Sequence, residues 1–96
     1  MLVLITYDVN TEDAQGKRRL RRVAKKCVAH GQRVQNLVFE CSVDAGQLRL
    51  LQAELAQLIN PEKDSLRFYM LGNHYQSKIQ HIGARPTYQP DDVLMV

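Results

Sequence analysis

The 96-residue chain is short of nearly every feature that marks a specialised class of protein. No run approaches the roughly 20 apolar residues of a membrane-spanning helix. The apolar start, MLVLITY, is too short for a signal peptide and lacks a basic leader and a small-residue cleavage site, so it reads as a strand. The compartment this implies is the cytoplasm. The two cysteines, Cys27 and Cys41, show no C-x-x-C spacing and have no nearby histidines to complete a zinc site. Buried free thiols are the expectation, in keeping with a reducing compartment. His30, His74 and His81 are too scattered to form a ligand motif, and each reads as solvent-facing or locally hydrogen-bonded. The most telling absence is of negative charge. No Asp or Glu occurs between positions 14 and 39, where eight Lys or Arg stand, so a formal charge of +3 conceals a strongly basic region.

What is present describes one small domain. With 45% apolar and 24% charged residues the composition is that of a globular protein, and its length is close to the limit at which a single core suffices. A partner subunit would add buried surface.

Leu2, Leu4 and Thr6 alternate with Val3, Ile5 and Tyr7, which gives the first strand two apolar faces and predicts a central position. That strand ends on an acid, Asp8. From Ala14 to His30 the period becomes helical: Leu20, Val23, Ala24, Cys27 and Val28 form one stripe, and Gly31 reads as the left-handed stop. Residues 33–43 predict a second strand able to bend at Asn36. Asp44 and Gln47 form a capping-box pair opening a helix whose core face is Leu48, Leu51, Leu55 and Leu58, ended by Asn60-Pro61. Residues 64–71 read as a third strand, central because both its faces are apolar, and residues 78–82 as a weaker fourth. Gly83 to Pro90 is an irregular connector with two prolines, and the chain closes on the strand-prone residues 91–96, DDVLMV. The architecture predicted is an α+β, ferredoxin-like βαββαβ sandwich as a single domain over 1–96, with an extra C-terminal strand. An apolar strand at a terminus tends to complete the edge of a partner's sheet, so a homodimer is expected with 91–96 at its interface.

Several segments together resemble one family. The strand-ending TYD at 6–8, RRLRRVAKK at 18–26, GQRVQ at 31–35, VFE at 38–40 and DSLRFY at 64–69 are similar, in order and spacing, to CRISPR-associated protein 2. This is the small adaptation protein that partners the CRISPR integrase. The resemblance implies a ferredoxin-like homodimer active in spacer acquisition and, in many members, a metal-dependent endonuclease acting on RNA or DNA. It also implies that Asp8 binds the divalent metal, Mg²⁺, and serves catalysis. One departure is Leu37, where similar sequences often carry serine.

The chemistry suits the residue. Mg²⁺ can supply both an activated water and charge stabilisation on a phosphate, and it asks for only one or two carboxylates. Two Asp8 side chains converging at a dimer axis would explain why no second acid stands at motif spacing. Without the resemblance, a lone Asp at a strand end more often caps a turn. Tyr7 and Phe39 are candidates to support the site or stack on a base, although aromatic residues in such strands are more often core.

Lys17, Arg18, Arg19, Arg21, Arg22, Lys25 and Lys26 crowd ten residues of one helix with no acid among those ten to relieve them. Together with Arg33 they are the candidate nucleic-acid contacts, binding phosphate without reading sequence. The ordinary alternative is a solvated basic face. The aromatic signature of RNA-recognition modules is absent. Two functions remain from these residues: a Mg²⁺-dependent endonuclease centred on Asp8, or a non-catalytic dimeric scaffold that bridges the integrase and holds duplex DNA.

Overall fold

The computed structural model describes residues 1–83. The terminal strand expected at 91–96, and all of the expected connector except Gly83, lie outside the described residues.

Strand β1 spans Leu2–Asp8, helix α1 Ala14–Val28, β2 Gly31–Gln35, β3 Val38–Ser42, α2 Ala45–Leu58 and β4 Ser65–Gly72. The four strands form one antiparallel sheet in the order β2-β3-β1-β4, with β1 and β3 side by side in the middle. This is the ferredoxin-like arrangement expected of βαββαβ. The long apolar segment 33–43 yields two strands because the chain turns at Asn36 and Leu37. Arg33 closes that turn, its Nε and Nη2 donating to the Asn36 carbonyl at 2.9 and 2.6 Å.

Both helices pack on one face of the sheet. Leu20, Val23, Ala24 and Cys27 from α1 and Leu48, Leu51 and Leu55 from α2 meet Val3, Ile5, Tyr7, Phe39 and Cys41 in one buried cluster. Each helix starts where its sequence says it should. Asp13 caps α1 by accepting from the Gln15 amide, and Asp44 and Gln47 cap α2 reciprocally, at 2.7 and 2.9 Å. Both cysteines are buried and free. Leu2 and Tyr75 are buried outside that cluster, and alternation along β1 puts Leu2 on the opposite face of the sheet from Val3. On that opposite face, where Glu40 of β3 points, residues 79–82 line a depression of about 610 Å³ with Val34, Asn36 and Glu40.

Three local expectations are corrected. Gly31 does not stop α1 with a left-handed turn; it opens β2. Glycine is required there because a Cβ would stand 1.9 Å from the Glu40 carbonyl oxygen. Residues 78–82 form no strand: a 3-10 turn covers Gln76–Lys78, anchored by Lys78 Nζ donating to the Leu71 carbonyl at 3.0 Å, and the chain then crosses the open face instead of joining an edge. Finally, β4 is an edge strand of the described sheet, not a central one. Both of its faces are only partly covered: Tyr69, on the face turned away from the helices, is 42% exposed, and Met70, on the helix-covered face, is 56% exposed. Among the described residues no helix is long and apolar enough to cross a membrane.

Candidate functional site

Alternation along β1 sends Val3, Ile5 and Tyr7 into the core and leaves Thr6 and Asp8 on the opposite face. Asp8 is exposed at the end of the strand, paired in register with Ser65 of β4, while Thr6 faces Val38 on one side and Arg67 on the other. These side chains line an open depression of about 340 Å³. No hydrogen bond or ion pair engages the Asp8 carboxylate among the described residues. A strand-end acid that served only to cap a turn would accept backbone N–H groups; this one does not.

The donors suit Mg²⁺ in kind, being oxygen atoms without a thiol or imidazole beside them. They are few. Among the described residues no group of three or more His, Cys, Asp or Glu is arranged to hold a metal, so one protomer offers Asp8 as the single carboxylate at this position.

Beneath Asp8 lies a network that sequence reasoning did not anticipate. The Tyr7 hydroxyl donates to Asp64 Oδ2 at 2.5 Å. Arg19 donates to the same carboxylate from Nε at 2.7 Å and from Nη2 at 3.1 Å, and the Asn60 amide adds a fourth bond at 3.0 Å. Asp64 thus ties together β1, α1, the end of α2 and the start of β4. Burial by itself would push the Asp64 carboxyl up, but the hydrogen bonds from Arg19, the Asn60 amide and Tyr7 outweigh it and hold the group below the usual carboxylate range. Burial, reinforced by the bond to Asp64, drives the Tyr7 phenol well above its ordinary value. A signal for this network existed in the sequence, since a core tyrosine must find a partner for its hydroxyl. Nothing in the linear pattern named Asp64 as that partner.

The basic candidates divide by environment. Lys17, Arg18, Arg21, Arg22 and Lys25 are exposed on α1, and no ion pair engages them among the described residues. Arg19 points inward to Asp64, its side chain 13% exposed, and Lys26 pairs across the helix interface with Glu54. Acids from elsewhere in the fold therefore relieve two of the seven helical cations, which spacing within one helix could not reveal. Arg33 is committed to the turn at Asn36, with its guanidinium carbon 5.5 Å from the centre of the Phe39 ring. Phe39 and Tyr7 are both core residues. Tyr7 touches the site only through the chain it shares with Asp8.

Comparison with known proteins accords with this geometry. The family model described as CRISPR associated protein Cas2 matches residues 1–79. The chain is 59% identical over 95 residues to the CRISPR-associated endonuclease Cas2 of Halalkalibacterium halodurans, covering 99% of each chain. It is 52% identical over 96 residues to the CRISPR-associated endoribonuclease Cas2 of Nitratidesulfovibrio vulgaris, covering 100% of this chain and 94% of that one. The crystal structure of Streptococcus pyogenes Cas2 at pH 6.5 superposes with a TM-score of 0.81 at 52% identity, covering 86% of this chain and 100% of the other.

Proposed function

From the premise that this chain belongs to the CRISPR-associated protein Cas2 family, we propose that it serves spacer acquisition as a homodimer and that it hydrolyses phosphodiester bonds of RNA or DNA with a divalent metal held at Asp8. The observation that carries the catalytic part is the uncommitted Asp8 carboxylate, set in an open depression at the end of a central strand. The other acid beside β1, Asp64, is fully occupied by its four donors. Two relatives bear nuclease names, one an endonuclease and one an endoribonuclease, which supports the reaction class and leaves the nucleic acid to be assigned by assay.

Asp8 would hold Mg²⁺, with an Asp8 from a second protomer as the natural second carboxylate. When bound, the ion supplies a water that is nucleophilic at neutral pH and offsets charge on the scissile phosphate. The chain's own part is positional. Hydrogen bonding on both sides of β1 and the anchoring of Tyr7 by Asp64 fix the backbone from which Asp8 projects. The edge of β4, unpaired among the described residues and with Tyr69 and Met70 largely exposed, supports association with a second subunit.

Cleavage of labelled duplex DNA, single-stranded DNA and RNA by wild type and Asp8→Asn, with Mg²⁺ and with EDTA, tests this reading. Cutting that needs Mg²⁺ and disappears in the variant is expected. Cutting that persists unchanged in Asp8→Asn refutes it.

A second reading is favoured by the five exposed cations of α1 that have no ionic partner among the described residues: a dimeric scaffold that bridges the integrase and holds duplex DNA along this helix. Its test is the salt dependence of DNA binding. Arg19 has no place in that test, because neutralising it disrupts the Asp64 network and confounds DNA affinity with folding.

A further inference from the structure

The depression beside Asp8 contains a second charge without an ionic partner among the described residues. Among the described residues lining it, Asp8 is the one acid and Arg67 the one cation. Register places Ser65 directly opposite Asp8 and Arg67 directly opposite Thr6, so Arg67 lies diagonally across the strand pair from Asp8 on the same face of the sheet. Diagonal neighbours of this kind sit about 7–8 Å apart. Opposite charges in one hollow would ordinarily be expected to pair, yet no ion pair joins these two. The Arg67 guanidinium is held instead by Tyr69, with Nη1 donating to the phenolic oxygen at 3.1 Å and the guanidinium carbon 6.0 Å from the ring centre. One anchored nitrogen and a ring contact fix the plane of the guanidinium, and the remaining N–H groups keep the fork geometry that grips two oxygens of one phosphate.

We propose that Arg67 is the phosphate-binding cation of the Asp8 depression, gripping the non-bridging oxygens of the phosphodiester whose hydrolysis the Asp8 metal promotes. The two charges stand apart because the ligand belongs between them. A carboxylate that binds a cation and a guanidinium that binds an anion would destroy each other's function by pairing directly, and Tyr69 prevents this by drawing Arg67 along β4. The assignment rests on the nuclease reading for its catalytic consequence. It does not rest on that reading for phosphate affinity.

The experiment therefore has two arms on full-length protein. In the first, Arg67→Gln and Arg67→Lys are assayed with Mg²⁺ at saturating oligonucleotide; kcat falls roughly 100-fold in the Gln variant, as when one preorganised donor to a reacting group is lost. The Lys variant, which keeps the charge but not the fork, recovers part of the loss. In the second, binding of a short single-stranded DNA is titrated in EDTA across a range of salt, on Asp8→Asn with and without Arg67→Gln. Loss of Arg67 weakens binding and lowers the salt slope by about one phosphate contact. Both residues at issue are exposed, so thermal midpoints close to wild type are expected for every variant and certify the comparison. Should wild type not cut, or Asp8→Asn cut as well as wild type, the nuclease reading fails and the EDTA arm alone decides Arg67. Wild-type affinity and salt slope in that arm, together with unchanged kcat in any protein that cuts, overturn the proposal.

Discussion

Replacing Asp64 with asparagine changes one atom and should nearly dismantle the domain's polar anchor. The side chain is wholly buried, and three of its four donors converge on Oδ2 while the fourth, Arg19 Nη2, approaches Oδ1. An asparagine that keeps its oxygen at the crowded position must turn its NH₂ toward the Arg19 guanidinium, and the reverse choice sets NH₂ against three donors. Either way the charge that balances Arg19 is gone. Removing one partner of a buried, hydrogen-bonded ion pair costs about 3–5 kcal/mol. For a domain of this size each kcal/mol moves the midpoint by about 4–8 °C, so a fall of about 12 °C or more is expected. The pH dependence carries its own sign. The Asp64 carboxyl is held below its ordinary value in the folded state, so its contribution is complete above the unfolded-chain value near pH 4, roughly, and is lost as pH falls through the lower folded value. Urea unfolding of wild type and Asp64→Asn from neutral to acid pH should show a constant gap at neutral pH that narrows below about pH 4. A gap under about 1 kcal/mol at neutral pH, the scale of one ordinary hydrogen bond, or a gap that does not change in acid, would refute the reasoning.

Neutralising Arg18, Arg21, Arg22 and Lys25 together should leave the unfolding midpoint nearly unchanged, since none is paired within the described residues. It should also lower the magnitude of the log–log salt slope of duplex binding by up to about 4, at close to one unit per phosphate contact; an unchanged slope would return this face to solvent. Gly31→Ala forces a Cβ to within 1.9 Å of the Glu40 carbonyl oxygen. The hairpin must open there, at a cost of about 2 kcal/mol or more, read as a lowered urea midpoint, and a wild-type midpoint would show that β2 can shift freely.

Much of the fold was legible because burial imposes a period on the sequence. Leu20, Val23, Ala24 and Cys27 recur every third or fourth residue because one side of α1 meets the sheet, and Asp44 with Gln47 declares the start of α2 through bonds that lie within three residues. The alternation in β1 correctly placed that strand in the middle. The same argument predicted a central β4, which among the described residues stands at an edge of the sheet, because two apolar faces show that a strand avoids water without saying what covers it. Residues 78–82 alternate weakly and form no strand, since a pattern of that length cannot specify a hydrogen-bonding partner.

The candidate site divides along the same line. By itself the sequence determined that an acid ends a central strand, that positive charge gathers on one helix, and that the chain resembles a nuclease-bearing family, since each is a property of residue order. Only the tertiary structure decided which charges are free. Arg19 and Asp64 are 45 positions apart and Tyr7 and Asp64 are 57 apart, so their union, like the separation of Asp8 from Arg67 across two strands, is set by topology and register. Whether a charged group binds a ligand depends on whether the fold has already neutralised it, and that depends on neighbours brought together only when the chain closes.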